Sequence, residues 1–168
     1  MPVVQAEVVV PVSPAVAYAV SQTTGDVRRR WDVFIRAQHF LDDATLPAKG
    51  VRTATRQRFG LSMTTRYVSY APPTNVGMVM ETGPWFFRSL GAGWRFEEVP
   101  GGTRAVWKYS FRCRPAWLAP IAERIGVVVL GREIRRRIAG FARGCEDPVV
   151  LAAADAIRGG KGKGPDPT

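Results

Sequence analysis

The sequence predicts an α+β fold in which a curved antiparallel sheet of about six or seven strands is closed by a kinked C-terminal helix. The first observation is strict alternation over residues 107–112, which places Trp107, Tyr109 and Phe111 on one side of a strand. The second is a series of strand-like segments separated by turns rich in Gly and Pro. The third is an amphipathic helical region that begins near Pro115. Three large rings on one side of a strand suit a strongly curved sheet that wraps around a helix or a ligand. We therefore expect the sheet and its closing helix to enclose a cavity.

The first elements are predicted from their boundary residues. A run of β-branched side chains stops at Pro11, as a strand does. Ser13 and Pro14 form an N-cap followed by proline at the first helical position, which starts a short helix. In order, the segments are a strand over 3–10, two short helices over 14–21 and 27–34, and a strand over 35–41.

The middle of the chain is predicted to be a meander of strands joined by tight turns. After a loop over 42–50, the strands cover 51–59, 61–70, 75–81, 86–99 and 103–112. Together with the C-terminal helical region they form one domain over residues 1–155. Residues 156–168 contain too few apolar side chains to fold, so a disordered tail is predicted there.

The C-terminal helical region carries two apolar stripes that do not coincide. At about 100° per residue, the first and second stripes lie more than a quarter-turn apart. A straight helix cannot bury both against one sheet, so the pattern predicts a kink or a non-helical joint near Gly126. The first stripe is Trp117, Ile121 and Ile125; the second is Ile134, Ile138, Phe141 and Cys145; the predicted solvated side is Arg132, Arg135, Arg136 and Arg143.

Composition limits the classes of function. The chain has 168 residues and a net charge of +10. It contains one His and two Cys, which are too few to form a His/Cys metal site. No aromatic stacking motif accompanies the Arg residues, which disfavours nucleic-acid binding, whereas a membrane surface or an acidic partner stays open. No signal peptide or membrane-spanning run is recognised, so a cytoplasmic location is expected. No cofactor is expected, and the sequence does not indicate an oligomeric state.

The alternation of each strand predicts which side chains line the cavity. Arg52, Arg56 and Arg58 must face water, so the alternate residues Thr53, Thr55 and Gln57 face inward. On the preceding strand, Arg36 and Gln38 facing outward would place His39 inward. Unpaired polar groups in a dry core cost about 1–3 kcal/mol each, so inward hydroxyls and an amide favour a cavity over a solid core. The alternative is that these groups pair along the sheet or reach solvent. The predicted ligand-binding residues are Trp31, Phe34, Thr53, Thr55, Gln57, Phe59, Met63, Thr65, Met78, Met80, Trp94, Phe96, Trp107, Phe111, Trp117, Ile121 and Ile125.

Several motifs together resemble the START-like SRPBCC superfamily, and within it the polyketide cyclase/dehydrase branch. The resemblance covers about residues 3–147. Its motifs are the stretch over 8–20, Arg30-Trp31-Asp32, Gly50-Val51-Arg52, Trp94-Arg95-Phe96, Gly101-Gly102-Thr103 and the final Arg-rich helix. The resemblance implies the helix-grip fold, a curved sheet that grips a long C-terminal helix around a hydrophobic cavity. It also implies binding of lipids, sterols, quinones, hormones or polyketides, and cyclase activity in some members.

Three hypotheses about function follow. The first is binding of a hydrophobic, partly oxygenated small molecule (polyketide, lipid or isoprenoid-like) without catalysis or with weak catalysis. The second is a polyketide cyclase, aromatase or dehydratase in the same cavity, with His39, Tyr67 and Tyr109 as candidate acid–base groups. The third is an interaction module that uses the basic side of the protein. The iron chemistry of Rieske-oxygenase relatives is excluded because the chain has one His.

Overall fold

The computed structural model describes residues 1–160, which form a seven-stranded antiparallel sheet and four helices. The elements are β1 (Val3–Val10), α1 (Pro14–Ser21), α2 (Gly25–Trp31), β2 (Ile35–Phe40), β3 (Arg52–Gln57), β4 (Ser62–Ala71), β5 (Asn75–Thr82), β6 (Phe87–Val99), β7 (Gly102–Cys113), α3 (Ala119–Gly144) and α4 (Pro148–Gly159). The predicted α+β fold with a curved antiparallel sheet is confirmed. Because α4 ends at Gly159, the segment predicted as a tail begins inside a helix, and residues 161–168 lie outside the described residues.

The strands follow the order β1-β7-β6-β5-β4-β3-β2, so β1 and β2 form the two edges of the sheet. Trp107 lies between Ala6 of β1 and Trp94 of β6. Shifts in register interrupt the alternation in β2, between Ile35 and Ala37, and in β4, after Tyr67. Each shift turns the following side chains to the opposite side of the sheet.

α3 runs without interruption from Ala119 to Gly144, so a non-helical joint near Gly126, one of the two predicted alternatives, is wrong. The first half of the helix faces the sheet with small side chains, and a Cβ at Gly126 would lie 2.6 Å from the ring of Phe111. The helix therefore lies close to the sheet here, and the large residues of the predicted first stripe point outward. The correction concerns three predicted ligand-binding residues with exposed fractions of 79%, 60% and 59%: Trp117, Ile121 and Ile125.

The second stripe is buried as predicted, and it completes the core. Phe141 of α3 packs against the ring of Trp94, which stacks on Trp107 with ring centroids 4.2 Å apart. α2 approaches the same helix so closely that a Cβ at Gly144 would lie 2.9 Å from Trp31. The chain breaks instead after Gly144, where the side chain of Asp147 caps α4 by accepting a hydrogen bond from the backbone of Val149 at 2.9 Å.

Candidate functional site

A cavity of about 120 Å³ lies between the concave side of the sheet, the α1–α2 junction and α3. α3 packs on β1 and β7, and the opposite half of the sheet is less covered. Thr53, Thr55 and Tyr67 of that half are buried, whereas Gln57, Met63 and Thr65 are partly exposed. The cavity therefore opens at the partly exposed side chains of β3 and β4. Its lining is Ser21, Gln22, Thr23, Thr24, Arg28, Ile35, Gln38, Thr55, Gln57, Met63, Thr65, Tyr67, Val76, Met78, Phe87, Leu90, Ala92, Gly93, Trp94, Trp107, Tyr109, Leu130, Glu133 and Arg137.

The structure divides the predicted site residues into three groups. Those that line the cavity are Thr55, Gln57, Met63, Thr65, Tyr67, Met78, Trp94, Trp107 and Tyr109. Those that lie within the core or beside it, outside the lining, are Trp31, Phe34, Thr53, Met80, Phe96 and Phe111. Those that are exposed are His39, Phe59, Trp117, Ile121 and Ile125.

The predicted inward orientation of His39 is wrong. The irregularity between Ile35 and Ala37 adds a residue to β2, so Ile35 and Gln38 face the cavity. His39 then faces the outer side of the sheet, opposite Ala54 of β3. A bulge of this kind has no fixed sequence signature, which is why strict parity failed here.

Phe59 is also displaced from the predicted lining. β3 ends at Gln57, and Phe59 lies in the turn that Gly60 completes with a φ of 88°. The side chain is 76% exposed and packs edge-on against Phe34, with ring centroids 6.0 Å apart. The predicted strand was therefore two residues too long at this end.

A buried ionic cluster joins α2 to α3 beside the cavity. Asp32 is fully buried and accepts hydrogen bonds from Arg28 at 2.9 Å and from Arg137 at 2.7 Å. Burial would raise the pKa of Asp32, but Arg137 and Arg28 outweigh burial and hold that pKa below its usual range. The two guanidinium groups also lie against aromatic faces, Arg28 at 3.9 Å from the Trp31 centroid and Arg137 at 4.4 Å from that of Trp107. The cluster fixes the positions of both arginines in the cavity wall.

Arg137 extends this cluster to two cavity-lining groups on its other side. One nitrogen of Arg137 donates to the hydroxyl oxygen of Tyr109 at 2.7 Å and to the carboxylate of Glu133 at 3.2 Å. Burial raises the pKa of Tyr109, so the phenol stays protonated at neutral pH. Burial also raises the pKa of Glu133, and Arg137 opposes this rise only in part. Glu133 is the acidic side chain in the cavity lining described above.

A second polar chain lines the end of the cavity near α1. Tyr67 donates its hydroxyl proton to Gln22 at 3.0 Å, and the Gln22 amide donates to Ser21 at 2.7 Å. Ser21 in turn donates to the carbonyl of Tyr18 at 2.6 Å. The hydroxyl groups of Tyr67 and Ser21 therefore both donate to protein acceptors, whereas within residues 1–160 the hydroxyl of Tyr109 only accepts.

Sequence reasoning missed the ionic cluster and the α1–α2 junction. The sequence-based site includes neither Asp32 nor Arg28, although Arg28 precedes Asp32 by one helical turn. Arg137 lies on the same side of the helix as Ile134 and Ile138 of the buried stripe. Helical periodicity therefore predicts that this arginine points into the core. A buried arginine requires a carboxylate partner, and that requirement was the available signal.

Within residues 1–160, no group of three or more His, Cys, Asp or Glu side chains is arranged to hold a metal ion. Over the same part of the chain, no helix combines the length and the apolar character needed to cross a bilayer.

Comparisons with known proteins agree with this geometry. The family model described as polyketide cyclase / dehydrase and lipid transport matches residues 1–146. The comparison with curated proteins gives no match. Similar solved structures include TTHA0849 from Thermus thermophilus, with 14% identity, a TM-score of 0.69, and 90% of this chain and 99% of that chain covered.

A START superfamily protein from Mycobacterium smegmatis is similar at 11% identity and a TM-score of 0.69, with 86% of this chain and 97% of that chain covered. The protein XoxI from Bacillus cereus is similar at 9% identity and a TM-score of 0.68, with 88% and 97% covered. Identities this low show the fold alone. The family model, however, spans most of the chain, so this protein belongs to the polyketide cyclase/dehydrase and lipid transport family of the START-like SRPBCC superfamily.

Proposed function

We propose that this protein binds a hydrophobic small molecule that carries a carbonyl or hydroxyl oxygen, and that this oxygen lies at Tyr109. The observation that carries the proposal is the hydrogen bonding of that phenol. Its oxygen accepts from Arg137 at 2.7 Å, and within residues 1–160 no protein atom accepts its proton. A buried donor without an acceptor is costly, and a ligand oxygen would remove that cost.

The size of the cavity defines how such a ligand is held. At about 120 Å³ the enclosed part is smaller than the ~300–1,000 Å³ of typical ligand sites. The oxygenated end of the ligand therefore occupies the enclosed part, and its apolar remainder extends towards the open side at β3 and β4. Met63 and Met78 line the cavity, and their flexible thioethers adapt to ligands of different shape.

A matched pair of ligands tests the contact with Tyr109. Acetylnaphthalene carries a carbonyl, and isopropylnaphthalene has nearly the same shape without the oxygen. Wild-type protein should bind the ketone about fivefold more tightly than the hydrocarbon, the equivalent of ~1 kcal/mol for one hydrogen bond. In Tyr109→Phe this preference should disappear, as measured by isothermal titration calorimetry with all four combinations.

The four combinations separate the hydrogen bond from any general effect of the substitution, since a loosened cavity weakens both ligands alike. Tyr18→Phe is the control, because the Tyr18 hydroxyl points to the carbonyl of Asn75 at 3.4 Å and lies outside the lining. Equal affinity of wild-type protein for the two ligands, or binding of neither, would refute the proposal.

A cyclase reaction is the second candidate, and the position of Glu133 favours it. Glu133 and Tyr109 share the donor Arg137, so a carboxylate and a phenol face the same part of the cavity. In an aldol closure, the Glu133 carboxylate would take the proton α to one carbonyl while Tyr109 donates a hydrogen bond to the enolate oxygen. The enolate carbon attacks a second carbonyl of the same chain, and the proton on Glu133 is returned to the new alkoxide. The reaction needs no further reactant, and Glu133 takes the part that His39 was expected to play.

Glu133→Gln distinguishes this candidate from simple binding. The amide keeps the shape of the side chain but cannot accept the proton, so closure of a poly-β-ketone substrate should fall at least about a hundredfold. Affinity for acetylnaphthalene should stay close to the wild-type value, as calorimetry would report. Turnover that is unchanged in Glu133→Gln, or absent from the wild-type protein, would exclude the second candidate and leave the binding proposal intact.

A further inference from the structure

An exposed apolar surface covers the end of the molecule where α3 begins. We call it the apolar tip and define it by Trp85, Trp117, Ile121, Ile125 and Val128, each more than half exposed. The backbone amide of residue 114 donates to the carbonyl of residue 86 at 2.9 Å, so the loop that carries Trp85 lies beside the segment that leads into α3. Isolated apolar residues on a surface are ordinary, but a contiguous patch with two tryptophans indicates an interaction site.

The same outward side of α3 is strongly basic, mostly beyond the apolar tip. Its exposed charged side chains are Arg124, Arg132, Arg135, Arg136 and Arg143. None of the five forms an ion pair with a residue in the range 1–160. The two acidic residues of the helix are turned inward, Glu123 towards the backbone of Cys113 and Glu133 towards Arg137. The exposed side of α3 therefore carries positive charge only.

We propose that this side of α3 docks the protein onto the surface of an anionic lipid bilayer. Trp and branched aliphatic side chains insert at the boundary between headgroups and acyl chains, and arginines beside them bind lipid phosphates. A second copy of the chain fits less well, because a face-to-face dimer would bring two sets of five unpaired arginines together. Nucleic acid would satisfy the arginines but would leave the aliphatic residues of the tip in water.

Membrane docking is a function beyond small-molecule binding. The two are linked because α3 carries the docking surface on its outer side and lines the cavity on its inner side. Leu130 and Glu133 line the cavity from the inner side of α3, and the apolar tip and the arginines occupy the outer side. A bilayer in contact with the outer side would therefore lie against the helix that walls the cavity. The cavity could then exchange an apolar molecule with the membrane by a short route.

Flotation with lipid vesicles tests the proposal on the full chain. Wild-type protein should float with phosphatidylcholine vesicles that contain phosphatidylglycerol, and about tenfold less with phosphatidylcholine alone. High NaCl should reduce flotation, because salt screens the arginines. Ile121→Glu combined with Ile125→Glu should weaken binding to the anionic vesicles at least about tenfold, because charges then replace inserted side chains.

A control with the same change in charge keeps the result interpretable. Val9→Glu combined with Val149→Glu alters two exposed residues, on β1 and α4, and should float like the wild type apart from the small effect of net charge. Circular dichroism checks that both double variants fold. The proposal is overturned if wild-type protein does not float with anionic vesicles, or if both double variants lose binding equally. It is also overturned if sedimentation shows a wild-type dimer that only the Ile121 and Ile125 changes dissociate.

Discussion

Asp32→Asn should lower the free energy of unfolding by about 3–5 kcal/mol, because it removes the one negative charge between two buried guanidinium groups. Arg28 and Arg137 both lie within 2.9 Å of the Asp32 carboxylate, and all three side chains are buried. An amide can accept a hydrogen bond but cannot balance the charge. The urea dependence of unfolding at neutral pH measures the effect.

Asp26→Asn is the matched control for this prediction. It makes the same chemical change in the first turn of α2, where the side chain of Asp26 is 91% exposed and pairs with Arg29. Exposed ion pairs contribute little, so this variant should unfold at nearly the wild-type urea concentration. Comparable losses in the two variants would mean that the buried cluster does not stabilise the fold.

The pH dependence of stability gives an independent readout of the same cluster. The pKa of Asp32 is held below its ordinary value in the folded state, so its stabilising contribution is present above about pH 4 and is lost as pH falls through the folded pKa. Wild-type stability should therefore decrease in acid more steeply than that of Asp32→Asn. The two urea midpoints should converge as the pH is lowered.

Gly140→Ala should destabilise the protein by at least about 2 kcal/mol, because the added methyl group would overlap the backbone carbonyl of Trp31. This contact sets the distance between α2 and α3. Because the overlapping atom belongs to the backbone, no side-chain rotation can remove the overlap. Separating the helices would also stretch the Asp32–Arg137 pair and move Arg137 in the cavity wall. Thermal unfolding followed by circular dichroism would measure the loss.

Gly159→Ala serves as the comparison, since a Cβ there meets no atom within 4 Å and lies in the last turn of α4. Alanine favours a helix over glycine by up to ~1 kcal/mol, so this variant should be as stable as the wild type or slightly more. If Gly140→Ala melted at the same temperature as Gly159→Ala, the close approach of α2 to α3 would be disproved.

Local signals were sufficient where an element is defined by its own residues. β1 and α1 have the predicted boundaries, because β-branched residues and the Ser13-Pro14 pair act over a few positions. The length of α3 was not predictable in this way. It depends on Gly126 meeting Phe111, a residue of another element, and this contact lets small side chains rather than large ones face the sheet.

The cavity residues were likewise predictable where local sequence decides their direction, and not where contacts between distant elements do. Alternation along β3, β4 and β7 placed Thr55, Met63, Tyr67, Trp107 and Tyr109 in the cavity lining, since the pleat alone decides their direction. It failed for His39, because a bulge in the backbone reverses the direction of every later residue in the strand. The ionic cluster was missed for a different reason, because Asp32 and Arg137 are 105 positions apart and only the packing of α2 on α3 brings them together.

The most direct test of ligand binding in this cavity is the NMR spectrum of the methionine methyl groups during titration with acetylnaphthalene. Of the four methionines, Met63 and Met78 line the cavity, whereas Met1 is exposed at the chain terminus. We expect ring-current shifts at Met63 and Met78 that saturate at one ligand per protein, with Met1 unchanged. Saturable binding that leaves both Met63 and Met78 unshifted, or no binding at all, would contradict a ligand site between the sheet and α3.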